Sequence, residues 1–159
     1  MKSEPYERER AVSGKFEDLQ NNIGDDAKDA VISSNNNDSK NFSNLSRDDA
    51  RNFMSGLLKN GEISIDDLKE IIPENVNNTF IPTITIKNGE KYEFFLSDNQ
   101  KVIIRWHEPD PIAASKYPGC ISGSRYTAEI KVGNKQLKSN GDWSKNQSTN
   151  EVHIPIIGK

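Results

Sequence analysis

The chain has 159 residues, of which 33% are hydrophobic, so it can form one domain with a modest core but is too polar for every residue to join that core. Its single cysteine excludes an internal disulfide and a multi-cysteine zinc site, and its short apolar runs indicate no membrane span. The net charge of −3 is unevenly distributed: residues 1–78 hold 16 acids and 10 bases (−6), and residues 79–159 hold 8 acids and 11 bases (+3). A basic C-terminal half is expected of a segment that meets an anion.

The first part of the chain is predicted to lie outside the folded domain. Residues 1–14 are rich in charge and poor in apolar residues, which is typical of a disordered tail, and they lack the apolar stretch of a secretory signal. Residues 15–32 have apolar positions near helical spacing and predict a helix. Residues 33–44, "SSNNNDSKNFSN", indicate an Asn/Ser-rich linker. We therefore divide the chain into a flexible N-terminal entry segment, 1–44, and a folded domain, 45–159.

Two helices are predicted at the start of the folded domain. Ser46 and Ser64 each precede an aspartate by three residues, as in a capping box. Helical spacing follows each of them, with these apolar positions: Ala50, Phe53, Met54, Leu57 and Leu58 in the first helix, and Leu68, Ile71 and Ile72 in the second. Gly61 and Pro73 are the expected stops.

The segment between these helices also resembles the second half of a calcium-binding EF-hand loop. Gly61 would lie at the turn and Asp67 at the last ligand position. The first and third ligands would then be Gly56 and Leu58, which have no carboxylate. We therefore favour an ordinary helical hairpin.

Alternating patterns from residue 79 onward predict β-strands. The predicted strands are residues 79–86, 91–96, 101–107, 125–132, 135–138 and 151–157. Asn-Gly and Asp-Asn turn sequences separate the first three strands, whereas long loops, 108–124 and 139–150, interrupt the later ones. The predicted fold class is α+β, with N-terminal helices packed on an antiparallel sheet of about five strands.

The predicted strands collect polar side chains on one face of this sheet. Alternate residues of a strand point to opposite faces, so Val102, Ile104 and Trp106 share the apolar face of their strand. If the apolar faces of the later strands pack on the helices as well, the other face holds a polar set: Arg105, His107, Arg125, Thr127, Glu129 and His153. Both histidines of the chain would then lie on one surface.

This polar set matches the needs of metal-free RNA cleavage. One group must take the proton of the ribose 2′-hydroxyl and another must protonate the leaving 5′-oxygen, and histidine suits both roles. We predict that His107 and His153 form this pair, in unspecified order, and that Arg105 and Arg125 stabilise the phosphorane. Orienting hydroxyls would come from Thr127, Thr149 or Ser148. Asp110 would orient the imidazole or only shape the loop after His107. No metal or cofactor is required.

Plainer roles exist for most of these residues. His107 would cap a strand end, and Arg105 would pair with Glu129 or Asp110. Thr149 and four further residues are predicted to bind substrate, and the four also have ordinary structural interpretations. Trp143 would stack on a base or anchor its loop, and Lys131 and Lys135, with Lys138, would follow a phosphate backbone or protect a solvated sheet edge.

Other chemistries fit less well. A zinc hydrolase would use His107, His153 and Asp110 as ligands, but the tight spacing of known zinc motifs is missing. Cys120 would serve as a nucleophile beside a histidine, although a partly buried lone thiol is the simpler interpretation. A nucleic-acid or protein-binding module without catalysis, and a metal-dependent DNase, stay open as alternatives.

Three stretches resemble a known family. They are "RWHEPDP" (105–111), "RYTAEIKVGNKQLK" (125–138) and "VHIPI" (152–156). Together they resemble the C-terminal toxin domains of bacterial polymorphic toxins and contact-dependent growth inhibition systems, nearest to the polymorphic toxin type 30 class. The resemblance covers residues 79–159, about half of the chain.

The resemblance implies a function and a setting. Such domains are grouped with the barnase–EndoU–colicin–RelE ribonucleases, which have helices before a small antiparallel sheet and often cleave tRNA. It implies a toxin domain at the C-terminus of a larger secreted effector. Such a toxin acts in the cytoplasm of a competing bacterium and is blocked by a cognate immunity protein. The motif residues that it carries over are Arg105, His107, Glu108, Asp110 and His153.

Overall fold

The computed structural model describes residues 41–159. The predicted tail and helix, and the linker up to residue 40, lie outside the described residues. Three α-helices and an antiparallel sheet form the described part, so the predicted α+β class is confirmed. The helices are α1 (Arg47–Ser55), α2 (Ile65–Ile71) and α3 (Pro111–Lys116). The strands are β1 (Gly89–Phe95), β2 (Lys101–His107), β3 (Thr127–Val132), β4 (Lys135–Leu137), β5 (Trp143–Ser144) and β6 (Ile154–Pro155).

Both predicted capping boxes begin helices. The Ser46 hydroxyl accepts the Asp49 N–H at 3.3 Å, and the Ser64 hydroxyl accepts the Asp67 N–H at 3.4 Å. Helix α1 ends at Ser55, before the last residues of the predicted stripe, yet Leu57 and Leu58 still pack against the core. Between the helices the chain makes a tight turn instead of a calcium loop.

That turn requires two residues with positive φ. Asn60 has φ 53° and Gly61 has φ 78°, and Lys59 and Glu62 form a β-bridge around them. Asn-Gly is the residue pair that adopts this conformation most readily, because glycine lacks a Cβ and asparagine tolerates the left-handed region. The turn brings Ile63 to Ile156 in an isolated parallel bridge, which joins the hairpin to the end of the chain.

The sheet has the order β1-β2-β3-β4-β5, and β6 pairs with β3 at its other end. Strand β2 has the predicted bounds, and its residues Val102, Ile104 and Trp106 are buried. Alternate residues of β3 are buried beside them, and α1 and α2 supply the other side of this core. The predicted apolar face is therefore confirmed, and the polar face of the sheet points away from α1 and α2.

Residue 42 belongs to the folded part, although the sequence places it in the linker. Phe42 begins a 3₁₀-helix, Phe42–Asn44, and is fully buried. Its ring meets Phe53 of α1 edge-on at 5.6 Å and Phe94 of β1 at 6.2 Å between centroids. The core therefore extends N-terminally beyond the predicted boundary at residue 45.

The predicted strand 79–86 is wrong. Pro82 cannot donate to a ladder, and Ile81 and Ile84 are 80% and 89% exposed. Thr79 bonds to β1, where its N–H and its hydroxyl donate to the Lys91 carbonyl at 2.8 and 3.3 Å. The segment therefore runs past the edge of the sheet without joining it.

The predicted loops and the last predicted strand contain other elements. Residues 108–124 include α3 and a 3₁₀-helix, Ile121–Gly123, and residues 139–150 include the short strand β5. The segment predicted as strand 151–157 instead starts in a 3₁₀-helix, Asn150–Val152, and only β6 joins the sheet. Pro155 lacks an N–H, which limits the length of this ladder.

Within residues 41–159, none of the helices combines the length and the apolar character that crossing a bilayer requires.

Candidate active site

A cavity of about 610 Å³ opens on the polar face of the sheet. Its polar lining comes from two strands and the loops around them: Arg105, His107, Asp110, Ser122, Glu129, Ser148, Asn150 and His153. Its remaining lining is Ile86, Ala113, Tyr117 and Cys120. Its size is typical of a small-molecule or nucleotide site, and both histidines of the chain line it.

Strand register brings the histidines together. Arg105 lies opposite Glu129, and His107 lies opposite Thr127. On the other side of β3, Ala128 pairs with Ile154, which places His153 beside Glu129. The two histidines are therefore diagonal neighbours across β3, on the same face of the sheet.

The ring of His107 has a defined hydrogen-bond partner. The residue is 5% exposed, and its Nδ1 lies 2.7 Å from the backbone carbonyl oxygen of Glu108. A carbonyl oxygen only accepts, so we assign the proton of the ring to Nδ1, which donates it. In the neutral ring Nε2 then carries the lone pair, so His107 can accept a proton there.

Glu108 holds this end of β2 in place through its side chain as well. Its carboxylate accepts the N–H groups of Lys87 and Asn88 at 2.6 and 3.0 Å, and the Asn88 side-chain amide at 3.2 Å. These hydrogen bonds lower the pKa of Glu108, and the two backbone N–H groups contribute most to that effect. The carbonyl of Glu108 thus orients the imidazole while its carboxylate fixes the loop before β1.

Glu129 lies between the second histidine and an arginine. Its Oε2 is 3.4 Å from Nδ1 of His153 and 3.9 Å from Nε of Arg105. Burial acts to raise the pKa of Glu129, but the contact with His153 and the charges of Arg105 and both histidines outweigh it, so the pKa is lowered. Glu129 is therefore an ionised, mostly buried carboxylate at neutral pH.

The contact between Glu129 and His153 is electrostatic rather than a well-aligned hydrogen bond. Its distance of 3.4 Å is long, and within the described residues the buried Nδ1 of His153 has no partner of good geometry. The ion pair exists when the imidazole is protonated. The carboxylate is therefore placed to pair with an imidazolium at His153.

Asp110 shapes the wall of the cavity. Its carboxylate accepts the Ile112 N–H at 3.0 Å and caps α3, whose first residue is Pro111. Its own N–H donates to the carbonyl of Ser122 at 2.9 Å. Asp110 thus lines the site but is bonded to the backbone of its own loop rather than to an imidazole.

Arg125 is not part of the cavity, so the predicted position of this arginine is wrong. It precedes β3, and its guanidinium contacts Glu62 at 3.0 Å and the carbonyls of Ile156 and Lys159 at 2.8 and 3.0 Å. These contacts tie the C-terminal residues to the turn after α1. Arg105 is the only arginine among the residues that line the cavity.

Two predicted substrate contacts lie on the opposite face. Trp143 packs against the core, donates from Nε1 to the Ser55 hydroxyl at 3.0 Å, and lies 5.7 Å from the guanidinium carbon of Arg51. Lys135 is opposite Val132, a core position, and therefore points away from the cavity. Trp143 therefore lies outside the cavity, and its contacts are those of the anchoring role that the sequence offered beside base stacking.

The remaining predicted residues lie near the polar face. Lys131 is opposite Ile103 and shares the face of Glu129, outside the cavity. Thr127 is buried opposite His107, and Thr149 precedes the 3₁₀-helix at residue 150. Neither hydroxyl has a hydrogen-bond partner within the described residues. Ser148 lines the cavity and donates to the Asn146 side chain at 2.7 Å.

Sequence reasoning missed several residues of the cavity, above all Tyr117. Tyr117 and Cys120 lie between α3 and the 3₁₀-helix Ile121–Gly123, inside a stretch predicted to be one long loop. The sequence Asp110-Pro111 was the available signal, because a capping aspartate before proline is typical of a helix start. Cys120 also lines the cavity, and its thiol contacts the Ala113 carbonyl at 3.4 Å.

The described residues do not assemble a metal site. Within residues 41–159, no three His, Cys, Asp or Glu side chains converge closely enough to hold a metal ion. The alternative set of His107, His153 and Asp110 is therefore not brought into a ligand geometry.

A second cavity, of about 540 Å³, lies against α2 and includes Trp106 and Tyr126 in its lining, but neither histidine reaches it.

Comparisons with known proteins add no family to this geometry. No family model matches the chain, and neither a curated protein nor a solved structure matches it. The resemblance to bacterial toxin domains therefore stays a prediction.

Proposed function

We propose that the cavity is the active site of a metal-independent ribonuclease. The observation that carries the proposal is that both histidines line one cavity, His107 bonded to a backbone carbonyl and His153 beside a carboxylate. His107 donates through Nδ1 to a carbonyl, which leaves Nε2 as a proton acceptor. His153 lies beside an ionised carboxylate, Glu129, which can pair with the imidazolium that the proposed proton donor requires.

These states suggest an assignment of roles. Nε2 of His107 takes the proton of the ribose 2′-hydroxyl, whose oxygen attacks phosphorus. The bond to the 5′-oxygen breaks, and protonated His153 supplies the proton that this oxygen needs. The products are a 2′,3′-cyclic phosphate and a 5′-hydroxyl, and no oxidant, metal or water is consumed in the step.

Arg105 is the proposed phosphate contact. It lines the cavity, and only its Nε approaches Glu129, at 3.9 Å. Its side chain is 38% exposed, so part of the guanidinium is accessible to a ligand. An arginine stays charged throughout the reaction and can bind two phosphate oxygens, which stabilises charge that develops on the phosphorane.

The test is cleavage of total tRNA and of single-stranded RNA in the presence of EDTA. We expect His107→Ala and His153→Ala each to lower the rate by about 10²–10⁴-fold, the usual contribution of general acid or base catalysis. A 2′-deoxy substitution at the cut site should abolish cleavage, and the product should carry a cyclic phosphate that phosphatase alone does not remove.

Lys135→Ala is the matched control, because Lys135 is a cation on the opposite face of the sheet. It should cleave at nearly the wild-type rate. Cleavage that disappears with EDTA, or that cuts DNA equally well, would support a metal-dependent nuclease instead. RNA binding without cleavage in any condition would support a binding module. Either result contradicts the proposed function.

The resemblance extends the proposal to a biological setting. We propose that the substrate is tRNA and that the domain acts in the cytoplasm of a competing bacterium after delivery by a larger secreted effector. A cognate immunity protein would cover the cavity. Expression of the wild-type chain in a bacterial cytoplasm should stop growth and shorten tRNA, whereas the His107→Ala chain should be tolerated.

A further inference from the structure

We propose that Tyr117 is a stacking platform for an unpaired RNA base next to the scissile phosphate. This inference rests on the proposed function, because it assigns a subsite to the same cavity. Tyr117 lines that cavity and is 66% exposed, so its ring is accessible to a ligand.

The position of Tyr117 is fixed by its backbone. Its N–H donates to the Ala113 carbonyl at 2.8 Å, as the last turn of α3, and its own carbonyl accepts the Cys120 N–H at 3.0 Å. Within the described residues, its ring has no aromatic or cationic partner and its hydroxyl has no hydrogen bond. The backbone is therefore held on both sides while the ring is left available.

The cavity has two chemically different parts. Arg105, His107, Glu129 and His153 form a charged part on the sheet, where the phosphodiester reacts in the proposed mechanism. Ile86, Ala113 and Tyr117 contribute apolar surface from the surrounding segments. A nucleotide combines the same two features, because one sugar joins its charged phosphate to its flat base.

Stacking on a single ring predicts a particular substrate preference. An aromatic side chain stacks on any base because every base has a π-face, so Tyr117 would contribute affinity with little sequence selectivity. A base inside a duplex is already stacked on its neighbours and cannot reach the ring. We therefore expect loops and single strands to be cleaved in preference to helical RNA.

The first experiment uses a single-stranded RNA whose cut site has been mapped. Each nucleotide beside the cut is replaced in turn by an abasic nucleotide. One replacement should lower kcat/KM by about 5- to 100-fold, and Tyr117→Ala should cause a similar loss on the intact RNA. The two losses should not add, because they remove the same contact, and Tyr117→Phe should keep most of the activity.

Phe95→Ala is the matched control. Phe95 is also an exposed aromatic residue, at 60%, but it lies at the far end of β1 and does not line the cavity. It should change kcat/KM less than twofold. The subsite is refuted if Tyr117→Ala retains wild-type activity, if its loss adds fully to the abasic loss, or if Phe95→Ala is equally impaired.

A binding measurement separates this inference from the proposed function. The His107→Ala chain is mixed with RNA that carries 2-aminopurine beside the cut site, or at each position in turn if no cut is found. Stacking should quench the fluorescence, and Tyr117→Ala should remove the quench. If the wild type cleaves no RNA but quenching depends on Tyr117, the ribonuclease proposal fails and Tyr117 is shown to stack on a base of a bound, uncleaved RNA. If cleavage occurs without Tyr117-dependent quenching, the subsite fails alone.

Discussion

Phe42 offers a direct test of where the folded domain begins. Its ring is fully buried and meets Phe53 and Phe94 edge-on. Replacing a buried phenylalanine by alanine typically lowers the free energy of unfolding by about 3–5 kcal/mol, because apolar contacts are lost and a cavity remains. The described part of the chain, residues 41–159, should have a total stability of about 6–18 kcal/mol at 0.05–0.15 kcal/mol per residue. Phe42→Ala should therefore remove a large fraction of it.

Urea unfolding followed by tryptophan fluorescence and circular dichroism measures this loss. With a dependence on urea of about 1–3 kcal/mol per molar, the midpoint should fall by at least about 1 M, and the melting temperature by about 10–20 °C. Ile84→Ala is the control, since Ile84 is 89% exposed and should change stability by less than about 0.5 kcal/mol. A loss below about 1 kcal/mol for Phe42→Ala would refute the inclusion of residue 42 in the core.

Two further predictions concern the walls of the cavity. Asp110→Ala should lower the free energy of unfolding by about 1 kcal/mol, because it removes the cap of α3. Asp110→Asn can still accept the Ile112 N–H and should lower it by only a few tenths of a kcal/mol. Equal losses in urea unfolding would contradict the capping role. The pKa of Glu129 is lowered in the folded state, so its stabilising contribution is present above the ordinary value of 4.5 and is lost as pH falls through the folded pKa. Glu129→Gln should therefore be less stable than the wild type at pH 7, with a difference that shrinks below about pH 4.5, and a difference that stays constant or grows between pH 7 and 3 would contradict this.

Local rules predicted much of the fold. The two capping serines and the apolar spacing after them place α1 and α2, and alternation places β2 with its observed bounds. The same alternation puts His107 and Glu129 on one face, because side-chain parity is fixed by the strand geometry and needs no knowledge of distant contacts. His153 lies one residue before β6 in extended conformation, so it reaches this face although most of its predicted strand is absent.

The errors arose where a distant partner competes for the backbone or side chain. Residues 79–86 alternate like a strand, yet Pro82 and the hydrogen bonds of Asn78 and Glu108 keep this segment out of the sheet. Arg125 was assigned to the polar face by extending the alternation of β3 two residues beyond its ladder. Its ion pair with Glu62 spans 63 residues of sequence, and no local pattern indicates such a contact.

The site was predicted in part for the same reason. The residues on strands follow from parity, whereas Tyr117 and Cys120 enter the cavity only because α3 folds the stretch after Asp110 back over it. The direction of a short helix is decided by tertiary contacts, such as the hydrogen bond between Asp110 and Ser122, and not by the composition of the helix.

The chain has only two histidines, and both line the same cavity. Selective labelling of histidine with ¹⁵N therefore gives a magnetic resonance spectrum in which every imidazole signal reports on this one site. The nitrogen shifts of His107 distinguish a ring protonated on Nδ1 from the other tautomer. Because ¹⁵N adds no foreign chemical group, binding of RNA, a nucleotide or a partner protein can be followed directly at the two imidazole rings.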